Sequence, residues 1–215
     1  MRLGILGGTF NPPHVGHLVS AQEAWRELAL ERVLFIPAAT PPHKPVESEP
    51  GAAHRLAMCR AAVEGDERFA VSDLELRRPG LSYTVDTLAQ LRTHAPHDEL
   101  VLILGGDIAA GLPCWHRPEE VLRLATVAVA KRRGTPRDAV ERALATLEGG
   151  ERVRFFTMPR IGISSTMVRR RVRAGQPIRY LVTEPVRAYI EAHGLYRGER
   201  PSCSPHMPAT PTRRE

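Results

Sequence analysis

The sequence has few cysteines, few aromatic residues and no long apolar run. Its three cysteines, Cys59, Cys114 and Cys203, form no CxxC pair, which argues against a disulfide framework or a zinc site. No apolar stretch approaches the roughly 20 residues of a membrane-spanning helix. The first residues also lack the apolar segment and cleavage site of a secretory leader. We therefore expect a cytoplasmic protein with no membrane partner.

Lysine is also scarce, although the chain is basic. The 215 residues carry 30 basic and 24 acidic side chains, for a net charge of +6, yet only Lys44 and Lys131 are lysines. The planar fork of arginine binds phosphate oxygens in pairs, but a GC-rich genome would give the same bias. Residues 169–173 include four arginines that point in several directions on a helix, with no aromatic residues between them. We expect a solvated face there and no nucleic-acid partner.

Apolar strands alternate with amphipathic helices along most of the chain. The periodicity predicts strands at residues 1–6, 33–37, 69–76, 100–104, 126–130 and 153–158. It predicts helices at residues 15–30, 54–64, 84–94, 119–124, 137–147, 164–173 and 185–193. This alternation indicates an α/β fold, a Rossmann-like doubly wound parallel sheet with flanking helices and a small C-terminal helical part. We expect one domain at residues 1–197, and a disordered tail at 198–215 because that segment is rich in proline and charge.

The most specific motif is GGTFNPPHVGH at residues 7–17, between the first predicted strand and the first predicted helix. Glycines let the backbone approach a phosphate, and a helix N-terminus offers N–H groups to it. His14 and His17 are three residues apart, so they share one face of a helical turn and can donate hydrogen bonds to phosphate oxygens. Alternatively, the histidines only cap or pack the helix. A metal site would need further ligands, and no nearby cysteine or carboxylate supplies them.

A second predicted helix start has the sequence ISSTMVR, at residues 163–169. The hydroxyls of Ser164, Ser165 and Thr166 and the N–H groups of the helix start can hold phosphate oxygens. Arg169, one turn into the helix, can clamp the same oxygens. On its own such a sequence is usually just a helix cap. Beside the first motif, it indicates a second phosphate-binding segment.

These two segments resemble the signatures of the HxGH nucleotidylyltransferase superfamily, a Rossmann-like group that binds ATP. Further segments are similar to those of the nicotinate-nucleotide adenylyltransferases: 41–44 (PPHK), 54–58 (HRLAM), 80–88 (GLSYTVDTL), 105–107 (GGD) with Leu112 and Trp115, 180–182 (YLV), 189–190 (YI) and 195–196 (LY). The resemblance runs in order over residues 1–197. Its 82–88 stretch is the part that is specific to this family.

The resemblance implies attack by the phosphate of nicotinate mononucleotide on the α-phosphorus of ATP, giving deamido-NAD and pyrophosphate. It implies catalytic roles for His14, His17 and Arg169, and Mg²⁺ as cofactor, held mainly by the ATP phosphates. The implied ATP-binding residues are Gly8, Thr9, Phe10, His14, His17, Asp107, Ser164, Ser165, Thr166 and Arg169. The implied acceptor-binding residues are Lys44, Thr84 and Trp115.

Several alternatives stay open at this point. One is an adenylyltransferase with another phosphorylated acceptor, such as phosphopantetheine, and another is a non-catalytic nucleotide-binding module. Single residues also have simpler interpretations: Lys44 as a solvated loop lysine, Asp107 as a turn residue and Trp115 as a core residue. The expected partners are ATP and nicotinate mononucleotide, and a homo-oligomer is left open.

Overall fold

The computed structural model describes residues 1–42, 50–131 and 135–197. Lys44 and the predicted tail at 198–215 lie outside the described residues. The strands within these ranges are β1 Arg2–Gly8, β2 Arg32–Pro37, β3 Phe69–Val71, β4 Glu99–Gly105, β5 Thr126–Lys131 and β6 Arg154–Thr157. The α-helices are α1 Val15–Glu27, α2 Ala52–Val63, α3 Thr84–His94, α4 Gly106–Ala110, α5 Pro118–Leu124, α6 Arg137–Leu144, α7 Ser165–Arg173 and α8 Glu184–Ala192.

The strands form one parallel sheet in the order β3-β2-β1-β4-β5-β6. The order reverses between β1 and β4, and this reversal is a topological switch point. In open α/β sheets of this kind, ligands bind beyond the carboxyl ends of the strands at the switch point. The sheet confirms the predicted Rossmann-like, doubly wound fold and directs attention to the segments that follow β1 and β4.

Helices cover both faces of the sheet, so the central strands are apolar throughout. Leu102 of β4 packs with Leu88 of α3 on one face, whereas Ile103 packs with Ala21 and Ala24 of α1 on the other. All five are at most 2% exposed. Burial on both faces explains why residues 100–104 form a continuous apolar run instead of an alternating one. The small side chains of these two alanines let α1 pack closely against the sheet, in the turns that follow the histidine motif.

The C-terminal helices form a third apolar cluster with α2. Its members include Met58 of α2, Val168 of α7, Ile190 of α8 and Tyr196. Each is at most 8% exposed. This confirms the predicted small C-terminal helical part, in which α7 and α8 pack with α2. In the part of the chain that the structure describes, no helix is both long enough and apolar enough to cross a membrane.

Three predicted elements end at least three residues early in the structure, and one short helix was not predicted. The strand predicted at 69–76 ends at Val71, because the next residues turn back on themselves, with the Arg77 N–H donating to the Asp73 carbonyl. The helices predicted at 15–30 and 137–147 end at Glu27 and Leu144. Gly105 ends β4 and caps the unpredicted helix α4, which begins at Gly106 and is only five residues long, so it leaves little periodicity to detect.

Candidate active site

The glycine-rich loop after β1 is folded around a buried phenylalanine. Phe10 has a positive φ of 49° and is 2% exposed. Its ring contacts the His17 ring edge-on, at 5.0 Å between centroids. A Cβ at Gly8 would lie 3.2 Å from the Phe10 ring, so glycine lets the loop close over this side chain. Because its ring lies in the core, the prediction that Phe10 contacts ATP applies only to its backbone.

The two motif histidines lie together at the start of α1. His14 is the N-cap residue and His17 is in the first turn, and their ring centroids are 3.8 Å apart. The backbone N–H of His14 donates to Nδ1 of His17 over 3.2 Å. Since Nδ1 accepts this hydrogen bond, the proton of the neutral His17 ring belongs on Nε2. In the neutral form of His17, Nε2 is therefore the ring nitrogen that can donate.

Helix α7 docks directly onto the histidine loop, which is the segment 9–14 that joins β1 to α1. The Ser165 hydroxyl donates to the carbonyl of Pro12 over 2.8 Å, and Nη1 of Arg169 donates to the carbonyl of Asn11 over 2.8 Å. These bonds join segments more than 150 residues apart in sequence. The two predicted phosphate-binding motifs thus form one site. The N-terminus of α7 and the N-terminus of α1 contribute positive dipole ends to it.

The hydroxyls at the start of α7 have structural partners of their own. Ser164 is the N-cap, as its sequence indicated, and its Oγ accepts from the N–H of Met167 over 3.2 Å. Thr166 Oγ1 accepts from Nη2 of Arg169 over 3.4 Å. Ser164 and Thr166 only accept in these bonds, so each can still donate its hydroxyl proton to a phosphate oxygen, whereas Ser165 already donates its proton to Pro12. The predicted contacts of Ser164, Ser165 and Thr166 to ATP remain predictions.

Residues near the C-terminal end of the described chain also bind the histidine loop and the start of α1. The Tyr196 hydroxyl donates to Oδ1 of Asn11 over 2.6 Å, and both residues are buried. The N–H of Val15 donates to the carbonyl of Leu181 over 3.0 Å. These bonds fix the loop to residues from the far end of the described chain. The histidine loop near the N-terminus is therefore held partly by Leu181 and Tyr196.

A cavity of about 320 Å³ opens beside the histidine loop, beyond the carboxyl ends of β1, β2 and β4. This is the position that the strand order indicates for a ligand. The volume lies at the lower end of the range for small-molecule sites. Its lining residues are Ile5, Gly7, Gly8, Thr9, Ile36, Ala38, Pro41, Pro42, Glu75, Ser82, Tyr83, Thr84, Thr87, Leu88, Leu102, Leu104, Ile108, Trp115 and His116.

Two buried polar residues hold the rim of this cavity. Arg55 of α2 is 1% exposed, and its guanidinium donates to the carbonyls of Thr9 and Ala39, each over 3.0 Å. Ser82 Oγ accepts from the N–H groups of Ala39 and Thr40, over 2.9 and 3.2 Å. These bonds tie the loop after β2 to both neighbouring segments. In the sequence, Arg55 stood out only as part of the 54–58 segment that resembles the adenylyltransferases.

A carboxyl group that is buried in the cavity wall was not predicted from the sequence. Glu75 is 6% exposed and lines the cavity, and its Oε1 accepts from the Thr87 hydroxyl over 2.6 Å. Burial raises the pKa of Glu75, while hydrogen bonds from Thr87 and Ser82 and the nearby arginines act in the opposite direction. Its position depends on the turn that replaces the expected strand after Val71.

The single-residue predictions have mixed outcomes. Thr84, in the first turn of α3, and the half-buried Trp115 both line the cavity, together with Gly8 and Thr9. Asp107 is exposed in the first turn of α4, at the carboxyl end of β4. Their binding roles remain predictions, and Lys44 lies outside the described residues. Within the described ranges, no group of three or more His, Cys, Asp or Glu side chains could hold a metal ion.

Comparison with known proteins gives the family. The chain matches the cytidylyltransferase-like family over residues 5–171. It is 46% identical to a protein of Salinibacter ruber named probable nicotinate-nucleotide adenylyltransferase, over 197 residues that cover 92% of this chain and 98% of the relative. This chain belongs to the nicotinate-nucleotide adenylyltransferase family. A family member of the same name from Thermus thermophilus is 45% identical and is covered over 100% of its length.

Solved structures with this family's fold agree with the architecture. Nicotinic acid mononucleotide adenylyltransferase of Plasmodium falciparum, complexed with NaAD, superposes with a TM-score of 0.71 at 17% identity, over 91% of this chain and 97% of that one. A putative nicotinate-nucleotide adenylyltransferase of Vibrio parahaemolyticus gives a TM-score of 0.66 at 20% identity, over 92% and 96%. These structures agree on the fold, while the family match and the named relatives confirm the resemblance of the motifs and the assignment to the nucleotidyltransferases.

Proposed function

We propose that this chain transfers the adenylyl group of ATP to nicotinate mononucleotide, giving deamido-NAD and pyrophosphate, as a step of NAD biosynthesis. The observation that carries this proposal is the docking of α7 on the histidine loop, immediately beside the cavity that Gly8 and Thr9 line. This arrangement supports a phosphate-binding site next to a pocket of small-molecule size. A donor nucleotide and an acceptor nucleotide can therefore meet across the end of β1.

The reaction joins an acceptor phosphate oxygen to the α-phosphorus of ATP and breaks the bond from that phosphorus to the bridging oxygen of the β-phosphate. The electron pair of the broken bond leaves with pyrophosphate. Because the attacking phosphate is already an anion, no strong general base is needed. Catalysis then rests on positioning and on stabilising the charge that develops on the phosphate oxygens.

The side chains around the loop fit this task. His17, in the first turn of α1, can donate from Nε2, and the N-cap residue His14 lies against its ring, so both can face the ATP phosphates. Arg169 is anchored to the loop by its bond to Asn11 and adds a fixed positive charge. We assign stabilisation of the transition state to His17, and binding of the β- and γ-phosphates to Arg169 and the N-terminus of α7. Asp107, at the end of β4, would face the adenosine part.

The cavity suits an acceptor that carries a pyridinium ring. Trp115 on its wall can stack on that ring, and a cationic ring binds favourably over indole. Thr84 lies in the first turn of α3, where the backbone N–H groups favour an anion. A nicotinate carboxylate would gain from this dipole, whereas the neutral amide of nicotinamide would not. This supports nicotinate mononucleotide as the acceptor.

The donor is proposed to arrive as the magnesium complex of ATP, with Mg²⁺ bound mainly to phosphate oxygens. Chelation with excess EDTA should then abolish turnover, and added Mg²⁺ should restore it. We also propose a cytoplasmic location, which suits the exposed, free Cys114. The oligomeric state remains a prediction that sedimentation velocity can decide.

The decisive experiment measures pyrophosphate release from ATP and Mg²⁺ with three acceptors in parallel: nicotinate mononucleotide, nicotinamide mononucleotide and phosphopantetheine. We expect strong release with the first. Release with phosphopantetheine only would keep adenylyl transfer and refute the acceptor. If folded protein that binds ATP released nothing with any acceptor, the chain would be a nucleotide-binding module.

Matched variants test the assigned roles. His17→Ala should lower kcat at least 100-fold through loss of a transition-state donor, whereas His94→Ala, at the exposed end of α3, should leave it unchanged. Arg169→Ala should raise the KM for ATP and lower kcat, whereas Arg170→Ala on the exposed side of α7 should change neither by more than about twofold. Equal losses in both members of either pair would contradict the assignments.

A further inference from the structure

Glu75 is a buried carboxyl on the cavity wall that takes no part in the roles assigned above. A carboxyl group 6% exposed loses most of its hydration, and burial of this kind is costly unless hydrogen bonds replace the lost water. Among the described residues, only Oε1 of this carboxyl has such a partner. Within the described ranges, Oε2 of Glu75 and Nη1 of Arg78 are buried and lie within hydrogen-bonding geometry of no other group.

A directed chain of hydrogen bonds runs from Arg78 to Glu75. Nη2 of Arg78 donates to Oγ1 of Thr87 over 3.1 Å, and Thr87 in turn donates to Oε1 of Glu75 over 2.6 Å. The Thr87 hydroxyl has one proton, and its 2.6 Å contact to the carboxyl is shorter than its 3.3 Å contact to the Tyr83 carbonyl. Nη2 of Arg78 also lies 3.4 Å from that same carbonyl of Tyr83.

This chain fixes the first turn of α3, which forms one wall of the cavity. Tyr83 is the N-cap residue of α3, and Tyr83, Thr84 and Thr87 all line the cavity. The opposite rim, at Ala38, Pro41 and Pro42, is held through Ser82, whose hydroxyl also lies near Glu75. The two walls that would enclose an acceptor are therefore both held in place around a single buried carboxyl.

A purely structural role explains this network poorly. A buried polar cluster that leaves two of its atoms without partners is less stable than well-packed apolar side chains of similar volume. The cluster lies only where α3 meets the cavity. Its benefit is therefore expected in the geometry of the wall, where a small displacement weakens every contact that the wall makes to a ligand.

We propose that Glu75, Thr87 and Arg78 form a positioning network that sets the affinity of the cavity for the acceptor nucleotide and leaves ATP affinity unchanged. The inference rests on the proposed function, because it takes the cavity to be the acceptor site. It assigns no contact between these side chains and the reacting atoms. It adds three residues outside the two phosphate-binding motifs to those that determine the choice of acceptor.

The matched variants Thr87→Val and Thr87→Ser test this network. Valine keeps the shape of the side chain and removes the hydroxyl, so it breaks both hydrogen bonds, whereas serine keeps them. We expect Thr87→Val to raise the KM for nicotinate mononucleotide about tenfold, with the KM for ATP and kcat within about threefold of the wild type. Thr87→Ser should restore the acceptor KM to within about twofold. Equal rises in both KM values, or a lower Tm with neither KM changed, would overturn the proposal.

Two further measurements keep the test decisive. If Thr87→Val fails to fold, Arg78→Met, which removes the donor to Thr87 and Tyr83, should show the same selective rise. Equilibrium binding of nicotinate mononucleotide, measured by calorimetry without ATP, separates this inference from the proposed function. If the wild type binds nicotinate mononucleotide but shows no turnover, the proposed function is refuted. A tenfold lower affinity for nicotinate mononucleotide in Thr87→Val would still support the positioning network in that case. Wild type that does not bind the acceptor refutes both.

Discussion

The Gly16→Ala substitution tests whether the histidine pair must keep its geometry. A Cβ at position 16 would lie 3.0 Å from two atoms of the His14 ring and 3.5 Å from Cγ2 of Ile161. The contact to the ring is about 0.4 Å shorter than the 3.4 Å at which ordinary contacts begin. The His14 ring is buried and lies 3.8 Å from the His17 ring, so it cannot yield without moving its neighbour.

The expected loss follows from this displacement. A misplacement of about 1 Å in an active site costs roughly 100-fold in rate, so about 0.4 Å should cost about tenfold, or ~1.4 kcal/mol of transition-state stabilisation. Stability should change little, because alanine is favoured over glycine in a helix by about 0.5–1 kcal/mol, which offsets the strain. We therefore expect kcat/KM to fall about tenfold, with Tm shifted by no more than about 3 °C.

The assay is steady-state pyrophosphate release with nicotinate mononucleotide, paired with thermal unfolding of each variant. Gly111→Ala is the control, since the nearest atom to its new Cβ is the Ile108 carbonyl oxygen at an ordinary 3.5 Å. That variant should keep kcat/KM within about twofold. A Gly16→Ala protein with wild-type kcat/KM would refute the claim that the two rings are held at a required spacing.

Three further predictions concern buried groups. Tyr196→Phe removes the hydrogen-bond donor to Asn11 and should lower the free energy of unfolding, measured with denaturant, by about 1–3 kcal/mol. Tyr180→Phe, at a side chain that is 78% exposed, should leave it unchanged. Equal losses of unfolding free energy in the two variants would contradict this prediction. Cys114 is exposed and should react with iodoacetamide in the native protein. Cys59 should react only after unfolding, because it is buried and burial raises the pKa of its thiol. Mass spectrometry that finds Cys59 labelled in the native protein would be inconsistent with its burial. Burial also raises the pKa of Glu75 in the folded protein above its ordinary 4.5. Because the unfolded state then ionises more readily, the folded protein loses stability as the pH rises above about 4.5. The Tm of Glu75→Gln relative to wild type should therefore increase between pH 4 and pH 7, and a difference independent of pH would refute the shift.

The sequence was most informative where chemistry depends on local spacing. The positions of His14 and His17 at a helix start, and the Ser164 cap of α7, follow from short segments whose geometry is set by the next few residues. The apolar run at 100–104 likewise indicated a strand buried on both faces. These features, the Rossmann-like sheet and the family could all be predicted, although the residue roles remain predictions.

The sequence was least informative where burial depends on distant segments. Glu75 looked like part of a strand, and its burial requires α3 to pack over the turn that follows Val71. Arg55 is buried because the carbonyls of Thr9, Ala38 and Ala39 converge on it from two loops. Phe10 lies in a motif that suggested ligand contact, yet its positive φ turns the ring into the core. No local pattern records such convergence.

The central claim is adenylyl transfer to nicotinate mononucleotide by the site that α1 and α7 form together. Its most direct test is mass-spectrometric detection of the dinucleotide made from ATP, Mg²⁺ and nicotinate mononucleotide by the wild type and by His17→Ala. We expect deamido-NAD in a one-to-one ratio with pyrophosphate from the wild type, and at least 100-fold slower formation by the variant. Folded wild type that binds ATP and forms no deamido-NAD would contradict the account, as would a His17→Ala protein that forms it at the wild-type rate.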